Sequence, residues 1–536
     1  MMGITNKFLS LWLEFDASCR EDKTSGSFQN AAELGELLSW LRRFWEEEMT
    51  SLGNADRESG LLRVTSLVDG ELMPCEIRLS KTEENNPGYS FRKFITDEQG
   101  EIEIKLPAGM WKAETGHGLT VESAREDIEI KPGKTVDRRV ELHRFVDLKK
   151  MGWYNGELHH HSIYSSPVYG GTDDVVDTPA QVRLSMEAAG CDFGALSDHH
   201  NILNHEEWKR EEKHSKVHFI PVISKEISTS NGHVMAMGAK KDIVYDIPDK
   251  TNRTEERLRR EFLKVVREIK KAGGITQVNH PFSDSFSTSW QPGFTDLLSQ
   301  FTSLEIWNGA NPMLDDNGNG KAFRLWLDLL NKGYRITATA GSDTHCIKTN
   351  QYEEIKEELQ LIMRILPGKR KEIPDNLQDK IRILEEMWDK SYAWLNHWIQ
   401  ISLGTAGVRN YIYSEEPIGR EKVLEGIQSG RVFITNGPLL FPSINGAGPG
   451  ETQVLESSAA DVEVKLWSRK MPKEIRLYLS NGKILKKQIP PENVQGFFYH
   501  DTFQSVNMKD SEWVVCAAGD DCTNLAVANP IRLALP

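Results

Sequence analysis

Histidines are concentrated in one stretch of this 536-residue sequence. Eleven of its 15 histidines fall between His159 and His345. A neutral imidazole is the commonest protein ligand for zinc and similar metals, and it also transfers protons near neutral pH. The distribution therefore indicates that the chemistry of the chain lies in this stretch.

Two short motifs place ligand-type side chains two residues apart. In the first, ELHHHS, an extended strand would project His159 and His161 from one face and His160 from the other. In the second, GSDTH, Asp343 and His345 have the same spacing directly after an apolar run. Each motif therefore offers one half of a metal site, built from imidazole and carboxylate ligands.

Three further segments between these motifs carry the same residue types. They are SDHHN with His199 and His200, EISTSNGH with Glu226 and His233, and NHP with His280. Taken singly, a buried histidine is more often a hydrogen-bonded core residue than a ligand. All five clusters, however, follow successive predicted strands, whose carboxyl ends meet on one rim in a parallel barrel. The sequence therefore predicts that the clusters converge on one metal site.

The elements that must position these residues alternate between strands and helices. Apolar strand-like runs at 193–196, 219–223, 275–278 and 336–340 alternate with helical stretches such as 255–272. This alternation is typical of an α/β domain with parallel strands, either open or closed into a barrel.

Changes in pattern along the chain predict its domain organisation. Alternating apolar residues with turn residues between them indicate β domains on both sides of the α/β region. Helical spacing of apolar residues indicates a helix near the N-terminus and a helical insertion within the α/β region. The predicted units are an N-terminal helical segment at 1–59, a β-sandwich at 60–147, the α/β domain at 148–440 with its insertion at 352–400, and a C-terminal β domain at 441–536.

Bulk composition excludes some partners. A net charge of −14 and a pI near 5.6 oppose the phosphate attraction on which nucleic-acid binding depends. No apolar stretch approaches the length of a membrane span. The six cysteines show no paired spacing, which favours a reduced, cytoplasmic protein. A small-molecule substrate is therefore expected, and assembly into a homo-oligomer is left open.

The order of the motifs resembles a known family. HxHS, DH, a glutamate followed by GH, NHP and GSDxH occur in the order typical of the PHP (polymerase and histidinol phosphatase) superfamily. The flanking segments GWYNGELHHHS, LEIWNG and GRVFITNGPLL resemble the carbaryl-hydrolase-like branch of that superfamily. The resemblance implies a distorted (β/α)7 barrel, with β domains before and after it.

The resemblance also implies a centre of two or three divalent ions, with Zn, Mn and Fe all suited to these ligands. His159, His161, Glu226 and Asp343 would hold the first ion. Glu226 would bridge to a second ion, which His233 and His280 would hold. A third ion would use His199, His345 and an acidic residue shortly after HxHS.

The chain departs from the family pattern around this third position. The usual SDG is replaced by SSPVY, and the nearest acids are Asp173, Asp174 and Asp177. ELH stands in place of DLH, and His200 is an additional histidine in the DHN motif. His200 is interpreted as an extra ligand, a general acid or a hydrogen-bonded neighbour, and the sequence leaves these open.

The expected reaction is hydrolysis. Two cations bridged by a carboxylate can turn a shared water into hydroxide near neutral pH, and they can polarise the P=O or C=O group of the substrate. The substrate would be a phosphoester, carboxylic ester or carbamate, with His199, His200 or His345 protonating the leaving group where it is not fully committed to metal. Arg409 resembles a family position near the site and is a candidate to bind a substrate oxyanion, with a surface salt-bridge arginine as the alternative.

Other interpretations remain open at this stage. Trp388, Trp394 and Trp398 would form a lid over the site, or else pack in a core or subunit interface. The enzyme could instead be a phosphatase or phosphodiesterase acting on a sugar or nucleotide phosphate. An interpretation of a different class is a binding or scaffold protein whose metal site is degenerate and structural.

Overall fold

The structure is a computed structural model of the chain. It describes residues 59–81, 92–171, 173, 175–229, 232–246, 254–282, 290, 292–313, 318–347, 404–520 and 524–534, with isolated positions at 371, 375, 378 and 382. The predicted N-terminal helix and the helical insertion at 352–400, including the three tryptophans of the predicted lid, lie outside the described residues, apart from those isolated positions.

Two four-stranded sheets form the N-terminal β domain. One sheet has the order β2-β1-β5 with β8 paired to β1, and the other has the order β4-β3-β6-β7. Buried residues alternate with exposed ones along these strands, so that one face of each sheet contributes to a shared apolar core. The strands are β1 Ser59–Val68, β2 Glu71–Leu72, β3 Glu76–Lys81, β4 Arg92–Ile95, β5 Glu101–Pro107, β6 Gly109–Gly116, β7 Ala124–Ile130 and β8 Thr135–Leu142.

Seven strands of the central region lie side by side, in chain order, within one large sheet. Four of the neighbouring pairs are parallel, and β12 is antiparallel to both of its neighbours. The parallel strands therefore bring their carboxyl ends to one edge, where the predicted site residues follow them. The strands are β9 Trp153–Glu157, β10 Phe193–Leu196, β11 Ile220–Thr229, β12 Gly232–Met237, β13 Ile275–Asn279, β14 Ser303–Asn308 and β15 Thr337–Gly341.

Amphipathic helices cover this sheet. The longest runs from Glu255 to Lys271, begins after a side-chain cap from Thr254 and buries one apolar stripe that includes Phe262 and Ile269. Another begins with a capping box between Thr178 and Gln181. The helices are α1 Pro179–Ala188, α2 His205–Glu211, α3 Glu255–Lys271, α4 Asn319–Asn331 and α5 Arg420–Ser429. Among the described residues, no helix is long and apolar enough to cross a membrane.

The described residues do not show the distorted (β/α)7 barrel that the family resemblance implied. β11 continues into β12 as an antiparallel pair without a helix between them, and a 3-10 helix at Pro292–Gln300 stands between β13 and β14. In the described residues the ends of the seven-strand region meet at a single bridge, between His160 and Thr344. The structure is a mixed, sheet-rich α/β arrangement with few helices.

Two asparagine side chains satisfy the free edge of β15. Asn410 bonds the backbone N and O of Ala340 at 3.0 and 2.7 Å. Asn529 does the same for Ala338 at 2.8 and 2.9 Å. Because buried peptide groups need partners, these amides take the place of a neighbouring strand.

The remaining strands continue the large sheet and add a separate one. β17 pairs with β25, so the large sheet extends across position 440 into the C-terminal region. β18, β20 and β23 form a three-stranded sheet. The strands are β16 Arg409–Tyr413, β17 Val432–Thr435, β18 Leu439–Ser443, β19 Thr452–Val454, β20 Ala459–Trp467, β21 Glu474–Leu479, β22 Ile484–Gln488, β23 Phe498–Asn507, β24 Trp513–Gly519, β25 Leu525–Ala528 and β26 Ile531–Ala534.

Candidate metal centre

The structure brings all of the predicted metal ligands together at the carboxyl edge of the central sheet. Their ligand atoms form four overlapping groups, each compact enough to surround one ion. The members that occur in these groups are His159, His161, His199, Glu226, His233, His280, Asp343 and His345. Six of these eight residues are buried, and Asp343 and His345 are half-buried. Dispersed sequence motifs therefore converge on one cluster.

The first group surrounds the ring nitrogens of the HxH motif. Nε2 of His159 and Nε2 of His161 lie 3.3 Å apart. Oδ1 of Asp343 lies 3.3 Å from the first nitrogen and 3.0 Å from the second. Glu226 completes the group, with Oε1 3.4 Å from Nε2 of His159. Four ligand atoms thus face a common point, which is the number that tetrahedral metal sites use.

The backbone around this first group is shaped for close approach. A Cβ atom at Gly341 would lie 2.3 Å from Cβ of His159, so only glycine lets β15 approach the HxH motif. Two residues later, Asp343 has a φ of +54°, a left-handed conformation that aspartate tolerates better than most residues. The GSD sequence therefore places the carboxylate against the histidine pair.

The second group is centred on Glu226. The carboxylate of this residue belongs to two of the groups. Oε1 of Glu226 lies 3.1 Å from Nδ1 of His233 and 3.2 Å from Nε2 of His280. The amide of Asn279 donates a hydrogen bond of 2.7 Å to the same oxygen. Glu226 thus occupies the bridging position that the family resemblance implied.

The third group contains an acid that the sequence left uncertain. Oδ2 of Asp173 lies 2.6 Å from Nε2 of His199 and 3.2 Å from Nε2 of His345. Asp177 instead accepts the backbone N–H of Ile347 at 2.9 Å. Asp173 is therefore the acid that contacts both histidines.

The donor set fits bound cations. Oε2 of Glu226 is buried without a hydrogen-bond partner, although Nδ1 of His199 lies 3.1 Å from it in poor hydrogen-bonding alignment. An unpaired buried carboxylate oxygen is costly, and a cation is the partner that satisfies it. Imidazoles and carboxylates together suit borderline divalent metals.

The electrostatics of the cluster keep its carboxylates ionised. Burial raises the pKa of Glu226, but the charges of His233, His159 and His199 outweigh burial and hold that pKa well below its usual range. Burial and the charges of nearby His345 and His199 lower the pKa of His161 to about 3. His161 is therefore in the neutral form that binds metal, whereas at His159 and His199 burial is outweighed by the neighbouring carboxylates. These raise the pKa of His159 well above its usual range and that of His199 to about 9, so metal binding at these two histidines would release protons.

A second layer of acids orients the ligands. Oε1 of Glu305 lies 3.0 Å from Nδ1 of His159, and its Oε2 accepts the backbone N–H of His280 at 2.8 Å. A histidine whose far nitrogen is held by a carboxylate has a fixed tautomer and orientation. Sequence reasoning missed Glu305, although a glutamate between apolar residues of a buried strand was a usable signal.

Asp198 is connected to the second histidine of the HxH motif by hydrogen bonds through Ser165. Its Oδ1 accepts a hydrogen bond of 2.7 Å from Ser165, whose hydroxyl lies 3.1 Å from Nδ1 of His161. Its Oδ2 accepts bonds from Ser162 and Asn204 at 2.7 and 2.5 Å. The aspartate of the DH motif is therefore a supporting residue and lies outside the groups that surround an ion.

The carboxylate of Glu157 accepts hydrogen bonds from backbone N–H groups around the site. Its Oε1 accepts N–H groups from His159 and Ser342, at 3.1 and 3.0 Å, and its Oε2 accepts the N–H of Ala406 at 2.9 Å. The ELH variant of the family motif thus joins three segments around the site.

The remaining candidate residues differ in placement. His200 lies beside the cluster, with Nδ1 2.8 Å from the hydroxyl of Tyr245. Arg409 does not join the cluster: its guanidinium donates to the carbonyls of Ala406 and Ala189, each at 2.6 Å. The guanidinium is therefore hydrogen-bonded to the backbone, which indicates that Arg409 stabilises the fold. It does not contact the cluster where an oxyanion was expected to bind.

Comparisons with known proteins give weak similarities. No protein-family model matches the sequence, and no curated protein matches it. A protein of Bifidobacterium adolescentis, named as a metal-dependent phosphoesterase, is 14% identical with a TM-score of 0.26, over 36% of this chain and 87% of that one. An amidohydrolase of Chromobacterium violaceum is 14% identical with a TM-score of 0.24, over 38% and 96%.

A third similarity covers only a small part of the protein compared. The TIE protein of Bacillus anthracis is 18% identical with a TM-score of 0.14, over 20% of this chain. The chain spans about a fifth of that protein, 19% of its length. TM-scores this low carry no argument about shared fold or activity, so the functional argument depends on the geometry of the cluster.

Proposed function

We propose that the chain is a metal-dependent hydrolase of the PHP type, with a centre of two or three divalent ions. Zn, Mn and Fe all match its ligands. The first group would hold one ion, Glu226 would bridge to a second, and the group around Asp173 would hold a third. The substrate is a small molecule, and the scattered cysteines favour a cytoplasmic setting.

One observation carries this proposal: Glu226 is shared between groups that could each hold an ion. One of its oxygens contacts His233 and His280, and the other is buried without a hydrogen bond. A degenerate structural site would not be expected to keep a shared carboxylate oxygen unpaired in the interior, since that costs free energy. The arrangement favours a multinuclear centre over a scaffold.

Divalent cations held there would lower the pKa of a bound water and polarise the P=O or C=O group of the substrate, so that the single bond to the leaving group can be cleaved. The chain's own residues would fix the geometry. Glu305 and the hydrogen bonds from Asp198 through Ser165 hold the imidazoles of the HxH motif in place. His199 and His345 both contact Asp173, and either could protonate the leaving group where it is not fully committed to a metal ion.

The bond cleaved would be a phosphoester, a carboxylic ester or a carbamate. The carbaryl-hydrolase-like motifs favour esters and carbamates, and the wider superfamily favours phosphatase or phosphodiesterase activity on a sugar or nucleotide phosphate. Both reactions can use the same centre, so the proposal names the class of reaction and leaves the bond to experiment.

Turnover assays on the metal-loaded protein test this function. We would measure hydrolysis of p-nitrophenyl phosphate, bis-p-nitrophenyl phosphate and 1-naphthyl esters by wild type and Asp343→Ala, with circular dichroism to monitor folding. Metal-dependent turnover that falls at least a hundredfold in a folded variant would support the hydrolase, because one ligand of the first group is lost. Equal turnover by both proteins would rule out this assignment of the site.

A further inference from the structure

His200 lies next to the cluster without belonging to any of the groups that could hold an ion. Its ring centroid is 5.8 Å from that of His199. Its backbone N–H donates to the carbonyl of Glu226 at 3.1 Å. The residue is therefore anchored to the strand that carries the bridging carboxylate, with its imidazole beside the third group.

The backbone of His200 is held in an unfavourable conformation. Its φ is +64°, and two metal-ligand candidates, His280 and Asp343, also have positive φ values. A left-handed conformation is disfavoured for residues with a Cβ atom. Such conformations persist where the surrounding structure enforces them, and they are concentrated at functional sites. Six further described residues share this conformation without being ligand candidates, so the positive φ shows only that the surroundings hold His200 in place.

Tyr245 fixes the ring of His200 from one side. The tyrosine hydroxyl lies 2.8 Å from Nδ1. Among the described residues, Nε2 of His200 has no hydrogen-bond partner. One ring nitrogen is therefore committed to the protein, and the other remains for a molecule in the site.

Tyr245 is itself held in place. Its ring lies 5.4 Å from Nζ of Lys225, measured to the ring centroid, and it packs against the central apolar core. Lys225 is buried and ion-paired with Asp242 at 2.7 Å. Such bracing limits the movement of the hydroxyl, so Tyr245 can orient His200.

The pair is partly accessible. His200 and Tyr245 are each half-buried, so part of each side chain is open to solvent and can be reached by a ligand.

We propose that His200 binds the substrate and that Tyr245 is its positioning residue. The tyrosine O–H donates to Nδ1 and so fixes the tautomer that carries hydrogen on Nε2. The Nε2–H group then donates a hydrogen bond to an acceptor oxygen of the substrate, either a phosphoryl or a carbonyl oxygen. This inference rests on the proposed hydrolase function and assigns a residue pair that holds the substrate at the centre.

Inorganic phosphate is a suitable probe, because its binding can be measured by calorimetry without turnover. The variants are His200→Gln, His200→Asn and Tyr245→Phe, with Tyr334→Phe as the matched control. A glutamine amide can place a donor near the position of Nε2, whereas asparagine ends near Nδ1. Asparagine also tolerates the left-handed backbone, so loss of binding in that variant would not reflect backbone strain.

We expect every variant to retain the wild-type metal content. His200→Asn should weaken phosphate binding about tenfold to a hundredfold, as expected for loss of a hydrogen bond to a charged group. Tyr245→Phe should weaken it less, and His200→Gln least. The Tyr334→Phe control should bind as wild type does.

Unchanged phosphate binding in His200→Asn, loss of metal in that variant, or no phosphate binding by metal-loaded wild type would each overturn the proposal. The proposed hydrolase function fails separately, if metal-loaded wild type cleaves none of the phosphate or naphthyl esters. The two failures are distinguishable because the binding experiment does not depend on turnover.

Discussion

Oε1 of Glu305 lies 3.0 Å from Nδ1 of His159, and both side chains are fully buried. The contact orients the first imidazole of the HxH motif through its far nitrogen. Such supporting carboxylates typically change metal affinity by about 10- to 100-fold when they are removed. The contact therefore links a residue outside the ligand set to the strength of the metal site.

Glu305→Gln should weaken metal binding by about 10- to 100-fold, because the amide keeps the shape of the side chain and loses its charge. Competition with a chelator of known affinity would measure the change. Glu129→Gln, at an exposed ion pair with Lys131, is the control. Equal chelator competition in Glu305→Gln and wild type would contradict the supporting role.

Asp173→Asn should reduce the number of bound metals by one. Among the described residues, Asp173 is the acid that contacts both His199 and His345 without belonging to the first two groups. Elemental analysis of purified protein would show the loss. Asp137→Asn, an exposed change in the N-terminal β domain, should retain the wild-type content. A full metal complement in Asp173→Asn would rule out the third group.

Asn529→Leu should destabilise the protein by about 2–4 kcal/mol, because the backbone N and O of Ala338 lose their partners in the interior. The midpoint of thermal unfolding would fall by several degrees. Asn493→Leu, at an exposed position, is the control. If both variants melted at the wild-type temperature, the amide would not replace a strand at the edge of β15.

His117 gives a pH dependence that is separate from the metal centre. Burial, partly offset by a hydrogen bond to the carbonyl of Pro74, lowers its pKa from 6.5 to about 4. The unfolded chain therefore takes up this proton first as pH falls. The stability that neutral His117 contributes is present above pH 6.5 and is lost progressively between 6.5 and 4, by up to about 3 kcal/mol.

His117→Asn should keep a donor near Nδ1 for the Pro74 carbonyl and remove the titration. The free energy of unfolding of the variant should then fall less steeply than that of wild type across this pH window, in denaturant titrations at several pH values. Curves that stay parallel throughout the window would show that His117 does not titrate as its burial implies.

The sequence predicted that these side chains lie together because spacing alone fixes much of the geometry. HxH and DxH place side chains on one face of an extended segment, and the structure brings both pairs together. Asp173 could not be assigned, because an irregular loop sets its position and periodicity does not describe such loops. Glu305 was missed because strand residues were interpreted through their apolar neighbours.

The distorted (β/α)7 barrel was implied by the family resemblance, and the alternation of strands and helices alone left an open or a closed sheet possible. In the structure β11 extends to Thr229 and β12 begins at Gly232, as an antiparallel pair. Arg409 was expected near the substrate because of its sequence position, but its bonds to backbone carbonyls depend on contacts far apart in the chain.

Metal content per chain tests the central claim most directly. We would purify wild type and His159→Ala without chelator and quantify bound metals by elemental analysis, with circular dichroism to confirm that the variant folds. The account predicts two or three divalent ions per chain in wild type and fewer in the variant, because His159 contributes to two of the groups that could hold an ion. A folded wild-type protein that binds no divalent metal, even when Zn, Mn or Fe is supplied, would contradict it.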